Sequence, residues 1–269
     1  MDGFVFLEDI AYGNADRHRL DMFMPEKVKT QSGIILFIHG GGWVEGDKSV
    51  HRPDAEYFCK KGYVSASINY RYVTENINVA DVIDDVTAAL KKIKSVCGDY
   101  GMNTEKVIIS GGSAGAHLSL LYAYTKSSIS PLTPVAACVY CPAVNCYAGD
   151  FLMGISGEFE DWKYEVLSKC CGVKISKDNF ADELQQKVLK NISPMEYVSS
   201  SSVPTAVFAG KEDALVPFSH IEKFIAQLDA AGIKNDLVVY EKSGHALDKD
   251  PEAAQQAKNV IEEYARLYF

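Results

Sequence analysis

The run Val107-Ile108-Ile109-Ser110-Gly111-Gly112-Ser113-Ala114-Gly115-Ala116-His117-Leu118 constrains this chain more than any other stretch. Its β-branched, uniformly apolar start reads as a strand covered on both faces, the condition of strands in parallel sheets. The small residues after it leave room for an abrupt turn, and an apolar helix follows. A strand that turns directly into a helix is half of a β-α-β unit, so the flanking sequence must supply further parallel strands and crossover helices. Gly111, Ser113 and Gly115 fit G-x-S-x-G, which holds a serine at the tip of the turn while the glycines keep side chains out of its way.

The flanks meet that requirement. Residues 34–38, 63–68, 135–140, 205–209 and 236–240 read as buried strands. The spacing predicts helices over 54–61, 81–97 and 217–231, with Gly62 and Gly232 closing two of them, and a last helix from Pro251 with Asp250 as its N-cap. Residues 4–10 and 19–24 alternate as an antiparallel pair at one sheet edge. The expected class is therefore α/β, a mostly parallel central sheet flanked by helices.

Between 143 and 202 the alternation breaks. This segment holds Trp162, Tyr164, the pair Cys170-Cys171 and a serine cluster, and leaves the carboxyl end of a sheet strand, above the place where ligands bind in such folds. It is expected to be a helical lid shaping the substrate pocket. With no repeat or linker, residues 1–269 are expected to form one domain carrying this insertion.

Charge and cysteines narrow the function classes. A net charge of −9 repels phosphate backbones and anionic lipid surfaces, so nucleic acid and membrane are not expected as partners. The N-terminus lacks a basic leader, and no apolar run approaches the roughly 20 residues of a membrane span. Seven scattered cysteines, an odd number, read as free thiols in a reducing cytoplasm. Cys138-x-x-Cys141 lies in an apolar strand with no second Cys or His pair at ligand spacing, so no zinc or redox site is expected there.

The chemistry follows from what sits just past each strand. Asp213 and His245 both fall on loops at the carboxyl edge of the sheet, where Ser113 also emerges. A serine hydroxyl is a weak nucleophile until a base takes its proton, and a base needs a partner that fixes its tautomer. Ser113 is therefore assigned as nucleophile, His245 as base and Asp213 as the orienting acid, so kcat/KM should fall on the acid side near pH 6–7. Among rivals, Glu212 would face another way. His117 and His220 read as packing or surface residues, and His18 and His51 sit in polar surroundings. His39-Gly40-Gly41-Gly42-Trp43 ends the strand over 34–38, and its glycines let backbone N–H groups approach a ligand oxygen. Gly41 and Gly42 are assigned as oxyanion donors together with Ala114. His39 is assigned to bracing the loop, and Trp43 is the candidate substrate-binding residue, lining the pocket or packing.

Taken together, His39-Gly40-Gly41-Gly42-Trp43, Asn69-Tyr70-Arg71, Gly111-Gly112-Ser113-Ala114-Gly115, Asp213 with Val216-Pro217, and Ser243-Gly244-His245 resemble the hormone-sensitive-lipase-like branch of α/β-hydrolases, the small esterases with an HGGG motif. The resemblance implies the α/β-hydrolase fold and a carboxylic ester hydrolase that works without cofactor or metal on a small-molecule ester. Two departures stand out: no long N-terminal cap, and Tyr70-Arg71-Tyr72-Val73 in place of the Leu-Ala-Pro-Glu continuation of many members. These point to short or aromatic acyl esters, such as acetyl or hydroxycinnamoyl groups on sugars. The alternative is an amide hydrolase resembling the arylformamidases. A binding protein on an inactive hydrolase fold is disfavoured because every triad position is filled. A homo-oligomer is left open.

Overall fold

Ile34, Leu36 and Ile38 pack to one side of their strand and Ile35 and Phe37 to the other, all at most 1% exposed. That two-faced burial is what a central strand between two helical layers requires. The computed structural model describes residues 3–27, 33–152 and 160–269. Its sheet has eight strands: β1 (Phe4–Ala11), β2 (Arg19–Pro25), β3 (Gly33–Ile38), β4 (Val64–Ile68), β5 (Lys106–Gly112), β6 (Thr133–Tyr140), β7 (Thr205–Gly210) and β8 (Asn235–Tyr240). Their order is β1-β2-β4-β3-β5-β6-β7-β8. β2 runs antiparallel to β1 and to β4, and every other neighbouring pair is parallel. The fold is thus the α/β-hydrolase type that the sequence implies.

Helices cover both faces. α1 (Arg52–Lys60) and α7 (Pro251–Tyr268) bury Phe58, Ile261 and Tyr264 against one side. α2 (Val79–Asp99), α3 (Ala114–Thr125) and α6 (Phe218–Ala230) bury Val86, Leu118 and Phe224 against the other. α2 starts at Val79, earlier than the apolar periodicity indicates, because Asn78 and Asp81 form a reciprocal capping box that satisfies first-turn N–H groups. Between β6 and β7 lie α4 (Glu160–Cys171), α5 (Glu183–Asn191) and a short 3₁₀ turn, Pro194–Tyr197. The portion of the expected insertion over 153–159 lies outside the described residues. Among the described residues no helix is long and apolar enough to cross a membrane.

Because the strands from β3 to β8 share one direction, the turns after β3, β5, β6, β7 and β8 all open at one sheet edge. Every residue singled out for chemistry lies on one of those turns.

Candidate active site

β5 passes into α3 through Ser113, whose φ of 52° and ψ of −117° lie where L-residues are strained. The turn closes against β3. A side chain at Gly115 would place its Cβ 2.0 Å from the Ile38 carbonyl oxygen, and one at Gly111 would come within 2.6 Å of the same atom. Both positions must therefore be glycine. The elbow is pinned on its other side by Ser113 N–H, which donates to the Tyr140 carbonyl at 2.8 Å.

His245 Nε2 lies 2.8 Å from Ser113 Oγ, and His245 Nδ1 lies 2.7 Å from Asp213 Oδ2. The three side chains, far apart in sequence, form one continuous hydrogen-bonded chain. Asp213 is 8% exposed, and its Oδ1 accepts the N–H groups of Leu215 and Val216 at 2.8 and 2.9 Å. Its other oxygen is therefore the one left for the imidazole. With Nδ1–H donated to a carboxylate, Nε2 carries the lone pair, the tautomer needed to accept a proton from a serine.

The loop bearing His245 is clamped by residues beyond the expected set. Asp250 occupies the N-cap position of α7, but its side chain makes no cap hydrogen bond. Its carboxylate turns back instead, accepting Ser243 Oγ–H at 2.6 Å and Lys242 N–H at 3.1 Å. Asp250 thus holds the expected N-cap position, while its carboxylate serves as a clamp on the preceding loop. Gly210 presses on the same loop: a Cβ there would sit 2.3 Å from the Gly244 carbonyl oxygen.

Gly41 and Gly42 have φ of 106° and 54°, and both line a cavity that also touches Ser113. Ala114 is the first residue of α3, so its N–H belongs to the helix donors that have no acceptor within the helix. Gly41 and Gly42 thus share a cavity wall with Ser113, and Ala114 follows Ser113 directly in the chain. His39 braces the loop, as expected: its Nδ1–H donates to the Gly40 carbonyl at 2.7 Å and its Nε2 accepts from Arg17 Nη2 at 3.1 Å. Burial pushes His39 down to about 4, so it stays neutral and keeps that acceptor. Arg17 also donates to the Tyr70 and Gly46 carbonyls, at 2.8 and 3.0 Å, and sits over the Tyr72 ring. Sequence reasoning missed Arg17 because nothing local marks a residue between two edge strands as a support for a loop that follows β3.

Trp43 borders the cavity but is only 2% exposed, with its indole N–H committed to His117 Nδ1 at 3.1 Å. It packs as much as it lines. The less buried aromatic on that wall is Trp162 of α4, whose ring would meet a Cβ at Gly42 within 2.8 Å. His117 is fully buried and donates from Nε2 to the Ile192 carbonyl at 2.6 Å. His220 is also buried, with Nε2 2.8 Å from Asp150 Oδ1. His18 and His51 pair with Asp85 and Asp54. None of these histidine side chains is hydrogen-bonded to Ser113.

Two cavities open on Ser113 and His245. One, of about 250 Å³, is walled by Gly41, Gly42, Phe151, Leu152, Trp162 and Val216. The other, of about 460 Å³, runs past Tyr140, Cys141, Tyr240 and Leu247 to the polar side chains of His51, Asp54 and Lys258.

A central parallel sheet with a serine, a histidine and an aspartate hydrogen-bonded at its carboxyl edge defines an α/β-hydrolase. Within that class the chain belongs to the BD-FAE family, a family of α/β-hydrolase esterases, which it matches over residues 20–228. It is 30% identical over 250 residues to a probable carboxylic ester hydrolase, LipM, of Mycobacterium tuberculosis, covering 89% of this chain and 56% of that protein. It is 26% identical over 245 residues to a probable isoprenylcysteine alpha-carbonyl methylesterase of Oryza sativa subsp. japonica, covering 89% and 58%. The chain thus spans little more than half the length of these curated relatives. Among solved structures, the propionate-bound thermophilic esterase of Thermogutta terrifontis superposes with a TM-score of 0.69 at 25% identity, covering 98% of this chain and 93% of that one.

Proposed function

We propose that this protein is a serine-dependent carboxylic ester hydrolase that works through an acyl-enzyme. The observation that carries the reading is the unbroken hydrogen-bonded run from Asp213 through His245 to Ser113. Ser113 Oγ attacks the acyl carbon as His245 Nε2 takes its proton, and the imidazolium that forms is stabilised by Asp213. The carbonyl oxygen gains negative charge and is met by the N–H groups of Gly41, Gly42 and Ala114. His245 then returns the proton to the departing alkoxide. A water molecule, deprotonated by the same imidazole, releases the carboxylic acid and restores Ser113. Each step uses only these residues and water.

The two cavities suggest how the ester divides. The smaller one is lined by apolar side chains brought partly by α4 and suits a short or aromatic acyl group. The larger one ends among His51, Asp54 and Lys258 and suits a hydroxyl-bearing alcohol such as a sugar. In this reading the segment 143–202 acts as the lid of the acyl side, an insertion within one domain. The short-acyl preference gains support from the propionate-bound relative, and the ester class from the methylesterase and carboxylic ester hydrolase relatives. A reducing, cytoplasmic setting belongs to the same proposal, supported by seven free thiols of which six are buried.

Purified protein assayed on p-nitrophenyl acetate, butyrate and octanoate, on acetylated and feruloylated sugars, and on N-formylkynurenine tests this. Turnover of short and aromatic esters is expected. Turnover of the formamide with no ester hydrolysis would replace the reading with an amide hydrolase.

A further inference from the structure

The mechanism leaves unused the residue that follows β6. Cys141 has a φ of 46°, unusual for a residue with a side chain. That turn carries its thiol beneath the catalytic dyad, 3.6 Å from the His245 carbonyl oxygen. Its Sγ, one carboxylate oxygen of Asp213 and one ring nitrogen of His245 all lie within 4.8 Å of one another. Asp213 Oδ1 is occupied by two backbone N–H groups, which leaves Oδ2, already 2.7 Å from His245 Nδ1, as the carboxylate oxygen offered to a cation. The thiol is 3% exposed, yet Cys141, Ser113 and His245 share the wall of the 460 Å³ cavity, which gives a small ion a route in.

A thiolate, an imidazole and a carboxylate are the donors a borderline-soft dication prefers. Bond lengths of roughly 2.0–2.3 Å put the ligand atoms of one tetrahedral zinc ion about 3.3–3.8 Å apart, so this cluster closes on an ion with side-chain shifts of about 1 Å, and a water from the cavity fills the fourth position. We infer that Cys141, Asp213 and His245 form an inhibitory site for a thiophilic divalent cation, Zn²⁺ or Cd²⁺.

The proton balance explains the inhibition. A cysteine thiol is ordinarily protonated near pH 7, and binding a dication as the thiolate releases that proton to solvent. On His245 the cation takes the Nδ1 lone pair, so the neutral ring's one proton moves from Nδ1 to Nε2 through exchange with solvent. A ring with its proton at Nε2 has no lone pair for Ser113, so the base is lost until the metal is chelated. Mg²⁺ and Ca²⁺, which prefer oxygen ligands, do not bind there.

The test titrates the whole chain with CdCl₂ and ZnCl₂ and reads two signals on wild type, Cys141→Ala and Cys141→Ser. The cadmium-thiolate charge-transfer absorbance needs no catalysis. Wild type is expected to show one more thiolate bond per chain than Cys141→Ala, the other thiols being common to both. In p-nitrophenyl acetate hydrolysis, each protein measured against its own metal-free rate, the half-inhibiting zinc concentration should rise about tenfold or more in Cys141→Ala and less in Cys141→Ser. EDTA should restore the wild-type rate, and Mg²⁺ should have no effect. Identical cadmium spectra, or equal zinc sensitivity in all three proteins, would overturn the site. If metal-free wild type does not hydrolyse the ester while the cadmium difference persists, the hydrolase reading fails and the metal site stands.

Discussion

Trp43 donates its indole N–H to Nδ1 of His117 at 3.1 Å, with the two rings edge-on at 89°. The bond joins the glycine loop after β3 to α3, which begins just after Ser113. Because His117 Nε2 also donates to Ile192, a single buried imidazole ties the glycine loop, α3 and the segment between β6 and β7 together. Replacing Trp43 by Phe leaves a buried ring nitrogen without its donor, which costs about 1–3 kcal/mol. It also loosens the loop carrying Gly41 and Gly42. The expected outcome is lower stability in urea and a fall of about tenfold or more in kcat with KM little changed, since misplacement of donors is felt mainly in the transition state.

The same burial makes stability depend on pH. His39 and His117 are both pushed down to about 4 from 6.5. Below pH 6.5 the unfolded chain protonates each of them, whereas the folded protein does not until about pH 4. The unfolded state then binds more protons, so stability falls as pH drops through that window, by up to ~1.4 kcal/mol per pH unit for each histidine. Above 6.5 these two groups contribute no slope. His117→Gln, which cannot titrate, should flatten the slope measured by denaturant unfolding between pH 6.5 and 4. An unchanged slope would count against this assignment.

Strain at Ser113 gives a third prediction. Ser113 holds a backbone conformation costing of the order of 1–3 kcal/mol in a residue with a side chain. Glycine adopts it freely, at an entropic cost of roughly 0.5–1 kcal/mol in the unfolded chain. Ser113→Gly should therefore abolish hydrolysis while raising Tm by about 2–4 °C. Inactivity with a lowered Tm would mean that the elbow is not strained as described.

Much of this site is legible in the sequence, for a geometric reason. In a parallel sheet the position of a residue just past its strand fixes which edge it occupies, so Ser113, Asp213 and His245 could be placed together from strand ends alone. Arg17, His117 and Asp250 act through contacts set by how separate elements pack, and no local pattern announces them. Asp250 illustrates the limit: its place before Pro251 correctly reads as the N-cap position, but the contacts of its carboxylate with Ser243 and Lys242 are set by packing. The division of the site into two cavities is likewise a product of packing, with Trp162 reaching Gly42 from a segment that carries no strand signal.

Trp162 is expected to limit the acyl group. Truncation to Ala opens the wall beside Gly42 and lengthens the 250 Å³ cavity. The ratio of kcat/KM for p-nitrophenyl hexanoate over acetate should rise about 10-fold, within the ~1–3 kcal/mol by which an apolar pocket discriminates. An unchanged ratio would move the acyl group to the other cavity.

The central claim is that Ser113 is a nucleophile activated by His245, and covalent labelling tests it most directly. A fluorophosphonate added to native protein, followed by peptide mass mapping, should modify Ser113 stoichiometrically. The rate of labelling should fall by several orders of magnitude in His245→Ala, by analogy with the roughly 10⁶ lost when a triad member is removed. Labelling elsewhere, or equal labelling with and without His245, would contradict the account.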